Sequence, residues 1–279
     1  MVTITKTLVA AVAFSAVQAL PQPTLSTVTT PSATPAAAPT PDPEQQASLF
    51  RDLFSAPTAI KRFQRLLTAK GEALLSADAL KNLVVFNFNG ATPAPGALGG
   101  ATKAANIETF PILTGLGIST TLGFLDACGI NTPHVHPRAT EFLTVVEGKI
   151  DFGYILENGL VKAGQNAEIA GTLSKFQGTV FPQGSIHYQI NNECAPATFV
   201  AALNNEDPGT SQVAQNFFGL NPDVVNATLG FPKTIDGKNI EQFRKAIPAN
   251  IAQSIDICLA RCKSQGYQTG EQTPKPSGY

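Results

Sequence analysis

All three histidines of the 279-residue chain lie in two short segments. His134 and His136 sit in Pro133-His-Val-His-Pro-Arg-Ala-Thr-Glu141, and His187 closes Phe181-Pro-Gln-Gly-Ser-Ile-His187. Imidazoles at i and i+2 on a strand point to the same face. Glu141 has the opposite parity, so it joins them only if the chain turns in between, and Pro137-Arg138 is a place for that turn. His187, some 50 residues further on, reaches the same point if its strand pairs alongside. Three neutral imidazoles and one carboxylate suit a first-row divalent metal, and an octahedral ion held by four ligands keeps two positions for water, substrate or oxygen. The competing reading is of ordinary surface or hydrogen-bonded histidines. The spacing beside a Glu, with no other histidine in the chain, favours the metal.

Composition narrows what such a site can serve. Hydrophobic residues make up 43% of the chain and include 17 Phe, enough to bury a core. Charged residues make up only 14%, and 19 basic residues stand against 20 acidic ones. No basic excess exists to neutralise phosphates, which argues against a nucleic-acid partner and a polybasic membrane binder.

The elements that must position the site occupy the middle of the chain. Residues 1–19 read as a secretory signal, with Lys6 as the positive start, an apolar stretch over 7–17 and Val17-Gln18-Ala19 at the cleavage point. An uncleaved N-terminal anchor is the competing reading, but a run of about 11 residues is too short to span a bilayer core of about 30 Å. No other run is long enough, so no membrane span is expected and the mature protein reads as secreted. Residues 20–45 form a Pro/Ser/Thr-rich linker, with seven Pro and eight Ser or Thr between Pro21 and Pro43. That composition fits an O-glycosylated stalk or an unmodified flexible tail.

Residues 46–109 read as an N-terminal helical arm and loop. Leu49, Phe50, Leu53 and Phe54 form one stripe, and Ile60, Phe63, Leu66 and Leu67 form another. Ser76 caps a short third helix, and a Gly/Ala/Pro-rich loop runs from Asn89 to about Ala101. From 110 to 209 the chain is β-like, with short Val-, Ile-, Thr- and Phe-rich runs separated by Gly, Pro and Asn turns and no alternating helices. This predicts an all-β sandwich or barrel. Residues 210–264 turn helical again. Pro248 is placed to begin a helix, with Ile251, Ile255, Cys258, Leu259 and Cys262 on one face. Residues 265–279 read as a disordered tail.

The segment Asn131-Thr-Pro-His134-Val-His136-Pro-Arg-Ala-Thr-Glu141, followed by Gly148, resembles the first motif of the cupin superfamily. Pro182-Gln-Gly184-Ser-Ile-His187-Tyr-Gln-Ile-Asn191 resembles the second. Pro-His-x-His-Pro-Arg-Ala-Thr-Glu is similar to germins and germin-like proteins. Val85-Phe-Asn-Phe-Asn-Gly90, Gly115-Leu-Gly-Ile-Ser-Thr120 and Glu206-Asp-Pro-Gly-Thr210 resemble the spherulin branch of fungi and slime moulds. The resemblance implies an all-β cupin jelly-roll barrel with N- and C-terminal helical arms. It also implies manganese as the ion, ahead of iron or zinc, held by His134, His136, Glu141 and His187. Two positions depart from the pattern, since Cys128 and Phe176 stand where many cupins have Gly.

In a jelly roll the strand entering His134 pairs antiparallel with the strand leaving His187. That pairing brings Cys128 and Cys194 together and predicts a Cys128–Cys194 disulfide. Cys258 and Cys262, one helical turn apart, then bridge locally or stay free, and a bond between the two pairs remains an alternative. Asn226-Ala227-Thr228 is a sequon for an N-glycan.

The resemblance implies two functions. One is a non-catalytic secreted metalloprotein, extracellular or wall-associated, with a stress or developmental role. The other is a manganese oxidoreductase taking a small dicarboxylate (oxalate oxidase) or an oxygen species (superoxide dismutase). For the oxidase, Asn131 is an amide placed near the metal, or else a turn-forming residue before Pro133. The second amide expected upstream would fall near Thr121, which has none. Arg138 is the one charged group beside the ligands, with a salt bridge at the strand turn as its competing role. The stripe Ile251–Cys262 is expected either to make a homo-oligomer face, as C-terminal helices do in germin-like proteins, or to pack on its own barrel.

Overall fold

The structure, a computed structural model, describes residues 42–230, 247–248, 250–253 and 256–266. The expected signal, nearly all of the linker and the tail from 267 lie outside the described residues.

Side-chain caps set the N-terminal helices. Asp42 accepts from the Glu44 amide at the start of α1 (Pro43–Ser55), and Thr58 accepts from the Lys61 amide at the start of α2 (Ala59–Leu67). Leu53 and Leu66 are their buried residues. A two-residue hairpin of β1 (Thr68–Ala69) and β2 (Ala73–Leu74) follows, and then α3 (Ala77–Val84), capped by Ser76 as expected.

The body of the chain is two antiparallel sheets. Its strands are β3 (Gly100–Ala105), β4 (Ser119–Leu125), β5 (Gly129–Val135), β6 (Glu141–Glu147) and β7 (Lys149–Ile155). They continue with β8 (Ile169–Ser174), β9 (Gly178–Phe181), β10 (Ile186–Ile190) and β11 (Ala197–Leu203). After β12 (Ser211–Gln212) come α4 (Val213–Phe218), α5 (Pro222–Thr228), β13 (Ile251–Gln253) and α6 (Asp256–Ser264). One sheet runs β12-β5-β10-β7-β8, with β13 also on β5, and the other runs β3-β4-β11-β6-β9. Among the described residues no strand pairing closes the two sheets into a ring. The fold is mostly β with helices at both ends.

The two sheets share one core, because inward side chains alternate along each strand. On β11 the buried positions are Ala197, Phe199, Ala201 and Leu203. They cluster with Leu125, Leu143, Val145, Ile150, Leu173, Phe181 and Ile251. Each large side chain taken fully from water contributes about 1.5–3 kcal/mol.

Two expectations are corrected. The stretch read as a loop to about Ala101 turns into β3, whose pairing with β4 begins at Gly100. Pro248 does not begin a helix. Ile251–Gln253 is extended and pairs with Gly129–Asn131 of β5, and the helix starts only at Asp256. The unpaired edge of β5 supplies backbone partners that outweigh the local helical spacing. Ile251 and Cys262 are fully buried and Cys258 nearly so, so these members of the stripe pack on their own chain, the second of the two expected roles, while Ile255 lies outside the described residues.

Candidate metal centre

The strand register assembles the site. His134 on β5 stands opposite His187 on β10 in the antiparallel ladder. His136 follows the end of β5 on the same face, and the chain bends at Pro137-Arg138, where the sequence places a turn. That bend brings in Glu141, the first residue of β6, despite its parity. The ring centroids of His134 and His187 are 4.2 Å apart, and His136 lies 5.1 and 5.3 Å from these two rings. Glu141 Oε2 is 2.9 Å from His136 Nε2 and 3.5 Å from His187 Nε2. One ligand atom from each of the four residues lies within 4.8 Å of all the others, and all four side chains are buried.

Each imidazole is oriented through its other nitrogen. Nδ1 of His134 meets the Thr132 carbonyl at 2.8 Å, Nδ1 of His136 the Gly209 carbonyl at 2.6 Å, and Nδ1 of His187 the Ser185 carbonyl at 3.0 Å. A carbonyl only accepts, so Nδ1 carries a proton in each ring; the Nε2 atoms of His134 and His187 are left for a shared ligand, and that of His136, hydrogen-bonded to Glu141, joins them when it gives up its proton. His187 Nε2 is buried and has no hydrogen-bond partner. A buried acceptor left bare is costly, and a cation among the four donors would satisfy it. The residues therefore fit a metal ion. Phe181 fixes the ring of His187 further, stacked on it at 4.4 Å with planes 15° apart.

The Cupin family matches residues 86–237 of the sequence. The chain belongs to the cupin family. Two spherulins of Physarum polycephalum are similar to it. Spherulin-1A is 43% identical over 65% of this chain and 70% of its own length, and Spherulin-1B is 38% identical over 84% and 86%. Germin-like protein 1-3 of Oryza sativa subsp. japonica is 37% identical over 52% of this chain and 62% of its own. These relatives make it a cupin of germin/spherulin type.

In this cupin the protonation pattern already suits a cation. Burial, together with the neighbouring His187, pushes His134 down to about 3, so it is neutral at any ordinary pH. Burial alone would raise the Glu141 carboxyl, but the surrounding imidazoles, His136 foremost, hold it at about 2. His136 is raised, because its contact with Glu141 outweighs the effect of burial. An anionic carboxylate and a neutral imidazole are the ligand forms a divalent ion needs.

The loop that resembles spherulins at 206–210 holds the site from outside. Gly209 orients His136, and Glu206 accepts from the amides of Gly115 and Gly117 at 3.0 and 2.9 Å. Arg138 is half-exposed and pairs with Asp207 at 2.8 Å. Its candidate place beside the metal is therefore corrected to the salt-bridge role. Exposed pairs contribute about 0–1 kcal/mol, so Arg138→Gln is expected to lower the unfolding free energy measured in urea by no more than that and to leave metal content unchanged by elemental analysis.

Asn131 lies within β5 rather than in a turn, and it is buried. Its Nδ2 donates to Gln189 Oε1 at 2.7 Å, and Gln189 Nε2 is buried with no partner. Gln189 is missing from the candidates above. Its position at i+2 from His187 on one strand was the available signal.

The cysteines differ from expectation. Cys128 is bonded to Cys258, and Cys194 to Cys262. The register argument does bring the first two segments together, since the Cys128 amide donates to the Glu193 carbonyl. However, α6 lies over both segments, and its two cysteines take one partner each. Asn226 of the sequon is half-buried within α5, and its Oδ1 is buried without a partner.

Proposed function

We propose that this cupin is a secreted manganese-binding protein, extracellular or held at the cell wall, with a stress or developmental role. The convergence of three Nε2 atoms and one carboxylate in the protein interior carries the reading. Three imidazoles and a carboxylate without thiolate suit a first-row divalent ion, and the resemblance to germins is what favours manganese among them. The signal-like segment 1–19 and the two disulfides support secretion, since such bonds persist in oxidising compartments. Bound manganese would supply Lewis acidity and one-electron chemistry at the four ligands. The chain's part is to hold each proton on Nδ1, keep Glu141 anionic and leave the Nε2 lone pairs facing one point.

A second reading, a manganese-dependent oxidoreductase acting on oxalate or superoxide, rests on the Asn131–Gln189 pair. Asn131 orients Gln189 through Oε1, and the Nε2 hydrogens of Gln189 are donors in search of an oxygen. Such a donor fits a small carboxylate held beside the ligands.

The deciding experiment is elemental analysis of the natively secreted, chelator-washed protein. The expected result is about one metal ion per chain on the donor-set argument, and manganese on the resemblance to germins. Zinc or no metal overturns it. Release of hydrogen peroxide from oxalate by the loaded protein, or removal of superoxide faster than by free manganese, selects the second reading. Silence in both assays selects the first.

A further inference from the structure

Four sulfurs meet where α6 lies against the ends of β5 and β10. Cys128–Cys258 and Cys194–Cys262 are separate bonds, yet the Sγ atoms of Cys128 and Cys262 are only 3.5 Å apart. The sulfurs thus follow one another in the order Cys194, Cys262, Cys128, Cys258, and the last folds back to within 4.8 Å of the Cys262 sulfur. The two bonds differ in access. Cys128 and Cys262 are fully buried, whereas Cys194 is half-buried and lines an open cavity of about 350 Å³ with Glu193, Ala195, Arg261 and Gln265. The same Arg261 also reaches the other bond, its Nη2 lying 3.6 Å from the Cys258 sulfur.

We propose that this cluster is a thiol-exchange site that takes up a low-molecular-weight thiol at Cys194 and passes the broken bond inward to Cys258. The incoming thiolate attacks Cys194 Sγ, forming a mixed disulfide, and the bond to Cys262 breaks with its electron pair on Cys262. The Cys262 thiolate, enclosed and 3.5 Å from Cys128, attacks that sulfur once the helix, freed from Cys194, turns it into line with the Cys128–Cys258 bond. A Cys128–Cys262 bond forms and Cys258 leaves with the electron pair. A leaving thiol of lowered pKa departs faster, and a neighbouring guanidinium lowers it. One thiol is taken up, two disulfides remain, Cys258 ends as the free thiol, and no net oxidant or reductant is consumed. The anchor of α6 on Cys128 moves by one helical turn, and the helix is released from Cys194.

The test uses the full secreted protein and reduced glutathione as the probe. Disulfides are mapped by peptide mass spectrometry before and after exposure, with acid quenching and alkylation of free thiols. The expected result is glutathione on Cys194, a new Cys128–Cys262 link and alkylated Cys258 in equal amounts, with loss of both original links. Glutathione on Cys128 or Cys262, or an alkylated Cys262 in place of Cys258, overturns the proposal, as does persistence of both links under thiol that reduces the denatured chain. The double variant Cys128→Ser/Cys258→Ser keeps only the outer bond and blocks the second step. It should still accept glutathione on Cys194 but leave Cys262 as the free thiol, and its failure to accept any overturns the assigned point of attack.

Discussion

Replacing His187 by Ala is expected to abolish stoichiometric metal binding while both sheets stay folded. The wild-type protein is expected to hold about one ion per chain on the donor-set argument. With one of four ligands gone, metal content after a chelator wash should fall at least about tenfold, since even changes to groups that only orient a ligand cost 10–100-fold in affinity. The fold should survive for two reasons. His187 lies beside the core cluster rather than within it, stacked on Phe181, so its loss opens a cavity at one edge of the aromatic group. The change also removes a buried Nε2 that has no hydrogen-bond partner, which offsets part of the cavity cost. Thermal unfolding with and without manganese separates the two effects. A ligand at 100 times its Kd adds about 2.7 kcal/mol to the native state, so the wild-type transition should rise on adding metal and the variant's should stay put. Wild-type metal content in His187→Ala would sink the ligand assignment.

The four ligands were legible because the chemistry sits in rare residue types and strand parity is strict. Three histidines in two segments left one arrangement that brought them together, and Pro137-Arg138 supplied the bend Glu141 required. The strands from β4 to β11 were legible from β-branched runs between turns, except β5, which only the spacing of His134 and His136 marked as a strand. Elements set by tertiary pairing carried no such signal. β3 is Gly- and Ala-rich and β13 has helical spacing; each is a strand because a neighbour's edge needs partners.

The disulfide pairing failed for a related reason. The register between β5 and β10 predicted proximity, and it slips at the bulge between His187 and Gln189. It carried no information on a helix arriving from 60 residues further along the chain. The two departures from glycine did hold information about the backbone. Cys128 and Phe176 adopt φ of 60° and 66°, left-handed positions that glycine fills without the roughly 1–2 kcal/mol other residues incur. At Cys128 the disulfide requires the side chain. Nothing in the structure explains Phe176, which stands exposed beside Lys175.

The second large effect concerns the sheet that carries no histidine. Phe199 lies mid-way along β11, 2% exposed, opposite Gly123 of β4 on one side and Val145 of β6 on the other. Its ring folds over Gly123, because a Cβ built there would fall 2.1 Å from Cζ and 2.2 Å from Cε1 of Phe199. Gly123 is not at a left-handed position, so its requirement for glycine comes from the ring above it and not from the backbone. Phe199→Ala should therefore cost about 3–5 kcal/mol, as a large buried aromatic lost from a core does. Gly123→Ala should cost about 1–3 kcal/mol or more, since the added methyl meets a ring that the packed interior cannot move aside. The two costs share one contact, so they should not add. With Phe199 already Ala, the methyl at 123 occupies space the ring has vacated, and its penalty should vanish, leaving a coupling of about 1 kcal/mol or more. Urea unfolding of the four proteins with disulfides intact measures the cycle. An unchanged penalty for Gly123→Ala in both backgrounds would mean that the ring does not cover the glycine, and the pairing of β4 with β11 would need another explanation for its mid-strand Gly.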